Sequence, residues 1–352
     1  MLPLLEAFPR LAAAHPAAGL LEDITPVEAM PGSPGIFLKR DDLTAADVGG
    51  NKIRKLDFIL AAARARRCKS LVAFGYAGSN FVAATAWHGR KLGLKTFAGL
   101  LPQVSADYIA DNLSISLLAG AELVLREGEA ALVAAMAARS ARALLREGRW
   151  PMWVPPGGSS PLGALGFVNA AFELKAQIDG GVLPAPTSIY LPFSSMGTVA
   201  GLATGLHLAG LRSRIVAVQV VSSRHASREK LARLLEGLAL LLRRAGVPVP
   251  PARALLETVE LREEFFGGEY ARATPSAKAA MERFTADTGA RADSAYSGKA
   301  LACLYADLDA ERIARPALYW HTLSFSRLPQ GLERVPREAA PPELRRYWDA
   351  PA

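Results

Sequence analysis

Short apolar runs alternate along this chain with longer alanine-rich segments. Residues 70–74, 95–100, 188–191 and 215–220 read as strands. Residues 55–66, 81–92, 130–146 and 163–177 read as helices. Strands that are continuously apolar are buried on both faces, and long helices between them supply the cover. The pattern predicts an α/β class with a parallel-rich sheet. No internal repeat or low-complexity tract interrupts it. The proline-rich stretch 247–251 reads as a surface loop rather than a binding motif.

The chain has 352 residues, enough for two lobes and a sizeable core. Hydrophobic residues make up 51% and charged residues 21%, an ordinary balance for a globular enzyme and not for a disordered chain. The formal net charge of +8 raises nucleic acid as a partner. The basic residues are scattered along helices, and the densest cluster, 64–69, has no interleaved aromatics, so nucleic acid is not expected. Two cysteines, Cys68 and Cys303, form no CxxC pattern, and the histidines lack metal-ligand spacing. The expectation is two reduced thiols in a cytoplasmic protein with no metal. No stretch reads as a secretory signal or a membrane span.

One motif changes the picture. Lys39-Arg40-Asp41-Asp42-Leu43 is followed by Gly49-Gly50-Asn51-Lys52-Ile53-Arg54-Lys55-Leu56. Lys52 stands behind a Gly-Gly-Asn turn at the start of a helix, a good position for a Schiff base. Burial or nearby positive charge, here from Arg54 and Lys55, lowers a lysine's pKa and frees the amine. A plain turn and helix cap, with the lysine in solvent, explains the tetrapeptide as well. Gly78-Ser79-Asn80-Phe81 follows a strand and opens a helix, where free N–H groups suit a carboxylate or phosphate, or simply a cap. Ser194-Ser195-Met196-Gly197-Thr198 repeats that arrangement. It lacks the Gly-Lys-Ser/Thr of a nucleotide loop and the spacing of a dinucleotide fingerprint.

With these motifs the chain resembles the pyridoxal phosphate (PLP) enzymes of fold type II, the tryptophan synthase β-like fold. Within them it is most similar to the D-cysteine desulfhydrase and 1-aminocyclopropane-1-carboxylate (ACC) deaminase family. The resemblance runs from about Phe37 to about Thr322. It implies a larger cofactor-binding lobe of residues 1–49 and 166–352 and a smaller lobe of residues 50–165. It implies that Lys52 carries the Schiff base, with Asn51 beside it. Ser79 and Asn80 would hold the substrate carboxylate, Asn80 also touching the cofactor's phenolic oxygen and Ser79 helping to move protons. Ser194, Ser195, Met196, Gly197 and Thr198 would cradle the phosphate.

Gly157-Gly158-Ser159-Ser160-Pro161-Leu162-Gly163-Ala164 matches the desulfhydrase branch and puts Gly158 and Ser159 at the substrate. Tyr270 and Tyr296 match active-site tyrosines. Ser297 matches the residue facing the pyridine nitrogen, where ACC deaminases carry Glu. A hydroxyl there leaves the ring essentially neutral, which suits β-elimination, because the leaving group carries the electrons away. Thr322 would offer a hydroxyl near the ring, and His321 reads as structural. Five residues depart from the family pattern: Phe81 for His or Gln, Ser194 and Met196 for glycines, and Leu323 and Ser324 for a Gly-Gly pair.

The expected function is β-elimination from a small amino acid to a 2-oxo acid and ammonia, D-cysteine being the implied substrate. The alternatives are an ACC-deaminase-like ring opening, PLP-dependent β-replacement, or a non-catalytic PLP-binding homologue. The resemblance also implies a homodimer.

Overall fold

The computed structural model describes residues 2–106, 108–323 and 328–349. An N-terminal arm carries α1 (Pro3–Ala7), α2 (Pro9–Ala14), β1 (Val27–Ala29) and β2 (Ile36–Arg40). Then follow α3 (Lys52–Ala65), β3 (Ser70–Tyr76), α4 (Asn80–Lys91), β4 (Lys95–Leu101), α5 (Tyr108–Leu118), β5 (Glu122–Leu125), α6 (Glu129–Glu147) and β6 (Met152–Val154). The rest comprises α7 (Pro161–Asp179), β7 (Ser188–Phe193), α8 (Gly197–Leu208), β8 (Arg214–Gln219), α9 (Arg228–Arg244), α10 (Ala252–Leu256), β9 (Val259–Arg262), α11 (Pro275–Thr288), α12 (Ser297–Asp309) and β10 (Ala317–His321).

Two sheets result. One has six strands in the order β1-β2-β10-β7-β8-β9, the other four in the order β5-β4-β3-β6. Every pairing is parallel except β1 with β2. The α/β, parallel-rich class read from the hydrophobic pattern is the one observed. Helix starts follow local rules: Ser79 caps α4 by accepting from the Val82 N–H at 3.3 Å, and Ser160 caps α7 ahead of Pro161.

Three helices cross closely through glycine. A Cβ on Gly166 of α7 would lie 1.9 Å from the Arg54 carbonyl oxygen of α3. One on Gly201 of α8 would lie 2.4 Å from the Ala164 carbonyl of α7. These contacts fix the first turn of α3, and with it Lys52, against α7.

The charged motif 39–42 does its work in the interior. Lys39, Asp41, Arg54 and Glu173 are all buried. The Arg54 guanidinium donates to both oxygens of Asp41 at 2.7 and 2.8 Å and to Glu173 at 2.8 Å. Lys39 donates to Glu173 at 2.5 Å, and Trp320 donates to Asp41 at 2.7 Å. A buried charge is tolerable only when so fully paired. This network joins β2, α3, α7 and β10. It also disposes of Arg54 as a positive neighbour for Lys52, because two carboxylates neutralise it.

Candidate active site

A cavity of about 910 Å³ lies between the two sheets, at the carboxyl ends of β3, β4 and β6 on one side and of β7 on the other. Ligands in open parallel sheets bind at such strand ends. Its wall includes Asn51, Lys52, Lys55, Ser79, Asn80 and Phe81. Ser159, Ser194, Ser195, Met196 and Thr198 line it further, as do Tyr270, Tyr296 and Thr322. Gly158, Gly197 and Ser297 stand behind this wall rather than in it.

Lys52 is the first residue of α3, following Gly50 at φ +90°. Only glycine takes that backbone without cost. The Lys52 ammonium donates to Asn51 Oδ1 at 2.6 Å and lies 5.6 Å from the centre of the Tyr296 ring. Burial brings its pKa from the ordinary 10.5 to about 8, while Asp293 and Asp41 pull the other way. The cause is therefore loss of water and not a cationic neighbour.

Lys55, one turn on, is buried and donates to the Gly157 carbonyl and to Ser159 Oγ, both at 3.2 Å. Burial and then Lys52 push its pKa well below the usual lysine range. Among the described residues no carboxylate pairs with it. Around it, Ser159 Oγ donates to Ser195 Oγ at 2.8 Å and accepts from the Gly197 N–H at 3.1 Å. A Cβ on Gly157 would fall 2.3 Å from Ser195 Oγ, and one on Gly197 would fall 2.7 Å from Ser159 Oγ. Hydroxyls, the amides that open α8 and a buried amine with no carboxylate partner converge here in a cradle, a donor set suited to an anion. Met196 enters it at φ +68°, in the left-handed region. The glycine replaced here is thus one whose conformation the loop still demands, at about 1–2 kcal/mol for an L side chain.

The Gly78-Ser79-Asn80 loop is braced from two directions. The Gly78 N–H donates to Gln103 Oε1 at 2.9 Å, and Asn112 Nδ2 donates to the Gly78 carbonyl at 2.9 Å and to Asn80 Oδ1 at 2.7 Å. Gln103 is itself held by Tyr347, whose hydroxyl accepts from the Gln103 N–H at 3.0 Å and donates to its carbonyl at 3.1 Å. Leu344 and Tyr347 pack with Val82, Ile109 and Leu113, so the C-terminal segment lies on the four-stranded side. Phe81 is only 2% exposed and packs with Ile53, Leu56 and Ile59, so it reaches the cavity mostly as core.

Across the cavity, the hydroxyls of Tyr270 and Tyr296 share a short hydrogen bond, and Tyr76 stacks on Tyr270 with ring centres 4.7 Å apart. Burial raises the pKa of both Tyr270 and Tyr296. Ser297 is fully buried, and its hydroxyl donates to Asp293 Oδ2 at 2.6 Å. Asp293 also accepts from the Tyr296 N–H at 2.6 Å and the Ser297 N–H at 3.3 Å, capping α12. His321 is buried against Phe284, with ring centres 5.2 Å apart. Ser324 lies outside the described residues.

Sequence reasoning missed Gln103, Asn112 and Tyr347, and took Lys55 only as a neighbouring charge. A cradle for a phosphate, an amine of lowered pKa and stacked aromatics around one cavity define an enzyme site for a phosphorylated carbonyl cofactor. The family model for "Pyridoxal-phosphate dependent enzyme" matches residues 20–321. The chain belongs to that family, with the D-cysteine desulfhydrase and ACC deaminase group among its relatives. It is 35% identical over 307 residues to nocardicin C-9' epimerase of Nocardia uniformis subsp. tsuyamanensis, covering 86% of this chain and 90% of that one. It is 33% identical over 293 residues to D-cysteine desulfhydrase of Yersinia pestis (strain Pestoides F), covering 82% and 86%. A solved ACC deaminase homologue superposes with TM-score 0.75 at 29% identity, over 89% of this chain and 93% of that one. The fold is that of the type II PLP enzymes, and the protein is a PLP-dependent lyase.

Proposed function

We propose that this lyase removes a β-substituent from an amino acid, giving a 2-oxo acid and ammonia, as in D-cysteine desulfhydrase. The observation that carries this reading is the pair of lysines on one helix turn: Lys52 toward the tyrosines, Lys55 in the phosphate cradle. The residues present fit the cofactor. Lys52 would hold it covalently, and Ser159, Ser195, Thr198, Lys55 and the opening amides of α8 would hold its phosphate. When bound, the cofactor supplies an electron sink for the substrate's α-carbon.

The chain's own residues then have distinct work. Ser79, Asn80 and the amides opening α4 bind and orient the substrate carboxylate. With a pKa of about 8, roughly a tenth of the released Lys52 amine is neutral at pH 7, far more than for an ordinary lysine, and that form accepts the α-proton. The Tyr270–Tyr296 pair holds a proton at a buried hydroxyl beside it. Ser297 acts through α12, its hydroxyl committed to Asp293, with no carboxylate of its own to offer the ring. That is the feature separating β-elimination from an ACC-deaminase-like opening, which resembling enzymes perform with Glu there.

The lobe division near residues 50 and 165, a homodimer and a cytoplasmic setting are part of the same proposal and rest on the resemblance. No helix among the described residues is long and apolar enough to cross a membrane. A second reading, α-proton removal and return without loss of a β group, is favoured by the relative that is named an epimerase.

The test is to incubate PLP-loaded protein with D-cysteine, L-cysteine, β-chloro-D-alanine and ACC in deuterated water. Pyruvate from a β-substituted amino acid is expected. Deuterium at Cα with inversion and no 2-oxo acid would establish the second reading. Consumption of ACC alone would establish ring opening, and no change in any substrate a non-catalytic homologue.

A further inference from the structure

The cavity is longer than the chemistry assigned to it. Its inner end holds Lys52, the carboxylate loop, the tyrosines and the cradle. Its outer end runs past Leu101 and Trp153, at the ends of β4 and β6, to the first turns of α6 and α9. There α6 contributes Glu129, Leu132 and Val133, and α9 contributes Lys230, Arg233 and Leu234. Each triplet is spaced i, i+3, i+4, so each helix presents one face to the opening. Both triplets put apolar side chains beside a charged rim. Val133 is 47% exposed, an apolar group left in water at the mouth. Phe74 and Trp153, with ring centres 5.2 Å apart, add an aromatic wall. A cysteine side chain ends at its γ atom and leaves this surface uncovered.

We propose that the outer end is a subsite for the substrate's own side chain, and that the substrate is an α-amino acid with an extended apolar or aromatic β-substituent. The inference rests on the β-elimination reading for the bond that breaks. For an S-substituted cysteine, Lys52 takes the Cα proton and the Cβ–S bond breaks with its electron pair leaving on sulfur. Water then releases the nitrogen. One water consumed gives one thiol, one 2-oxo acid and one ammonia. The apolar substituent leaves water against Leu132, Val133, Leu234 and Trp153, which favours binding in proportion to the area covered.

Two measurements on PLP-loaded protein test this, with both enantiomers of each compound. Titration calorimetry compares 2-amino-4-phenylbutanoate, which has no leaving group, with alanine. Steady-state assay compares S-benzylcysteine with cysteine. The longer compound is expected to bind at least tenfold more tightly, and S-benzylcysteine to show at least tenfold higher kcat/KM. Val133→Asp and Leu234→Asp, one from each side, should each lower the benzyl-to-cysteine ratio at least fivefold. Leu145→Asp, on α6 at a position 86% exposed and outside the cavity wall, should leave that ratio unchanged. Alanine binding as tightly as the phenyl compound, or a ratio indifferent to both cavity variants, would overturn the subsite. Selective binding of the phenyl compound without 2-oxo acid from any substrate would uphold the subsite and overturn β-elimination.

Discussion

Replacing Lys52 by methionine should stabilise the cofactor-free protein. Burial lowers the Lys52 pKa from 10.5 to about 8, which means the folded state resists the ammonium form. At about 1.4 kcal/mol per pH unit, that resistance is at most about 3.4 kcal/mol at neutral pH. Lys52 is only partly buried and faces a cavity that water enters, so the figure is discounted to about 2 kcal/mol. Methionine also gives up the 2.6 Å hydrogen bond to Asn51, about 1 kcal/mol. A net gain of about 1 kcal/mol remains. The sign with pH follows from linkage. Between pH 8 and 10.5 the unfolded chain binds the proton that the folded chain has released, so wild-type stability rises with pH there. The penalty is complete below pH 8 and gone above 10.5. The assay is urea unfolding of stripped wild-type and Lys52→Met protein at pH 7 and pH 10. The variant should lead at pH 7, and the lead should vanish by pH 10. A variant less stable at pH 7, or a gap independent of pH, would refute the reasoning. Loading with PLP should reverse the order, because only wild type then gains the full binding energy.

Four further outcomes are expected. Gly166→Ala forces a Cβ against the Arg54 carbonyl and should cost about 3 kcal/mol in chemical unfolding or prevent folding. Met196→Val should destabilise by about 2 kcal/mol, because a β-branched side chain tolerates the φ of +68° less well, whereas Met196→Gly should not; matched thermal melts decide. Tyr347→Phe removes the hydroxyl that holds Gln103 and should raise KM for the amino acid about fivefold with little change in kcat, since it loosens only the carboxylate loop. Asp293→Asn removes a carboxylate that raises the Lys52 pKa, so the acidic limb of the kcat profile, which reports the amine once substrate has freed it, should move to lower pH.

Much of the fold was legible because β3, β4, β7 and β8 are continuous apolar runs between long helices. β6 and β9, with 3 and 4 residues, are too short to show a period. β2 did not show as an apolar run because it ends in Lys39 and Arg40, and only the network around Glu173, 134 residues from Lys39, makes Lys39 an interior residue. In the site, Lys52, Ser79 and Ser195 stood out through their turns, since backbone chemistry there is local. Lys55 acquired its meaning from Ser159, 104 residues away, and Gln103 from Tyr347, 244 residues away. Such pairings belong to the tertiary fold and have no local signature. Met196 shows the reverse: the sequence revealed the exchange, and only the backbone angle showed that glycine's conformation persists.

The central claim is that Lys52 is the residue that bonds the cofactor. Among the described residues four buried or half-buried lysines have a lowered pKa: Lys52, Lys55, Lys299 and Lys39, the last held by Glu173 at 2.5 Å in the interior network. Lys299 donates to the Phe266 carbonyl at 2.6 Å and lies outside the cavity wall. Reducing PLP-loaded protein with borohydride fixes the cofactor to its lysine, and peptide mass spectrometry then locates it. The account predicts the label on Lys52 and none in Lys52→Ala. A label on Lys55 or Lys299 in the wild-type protein would contradict it.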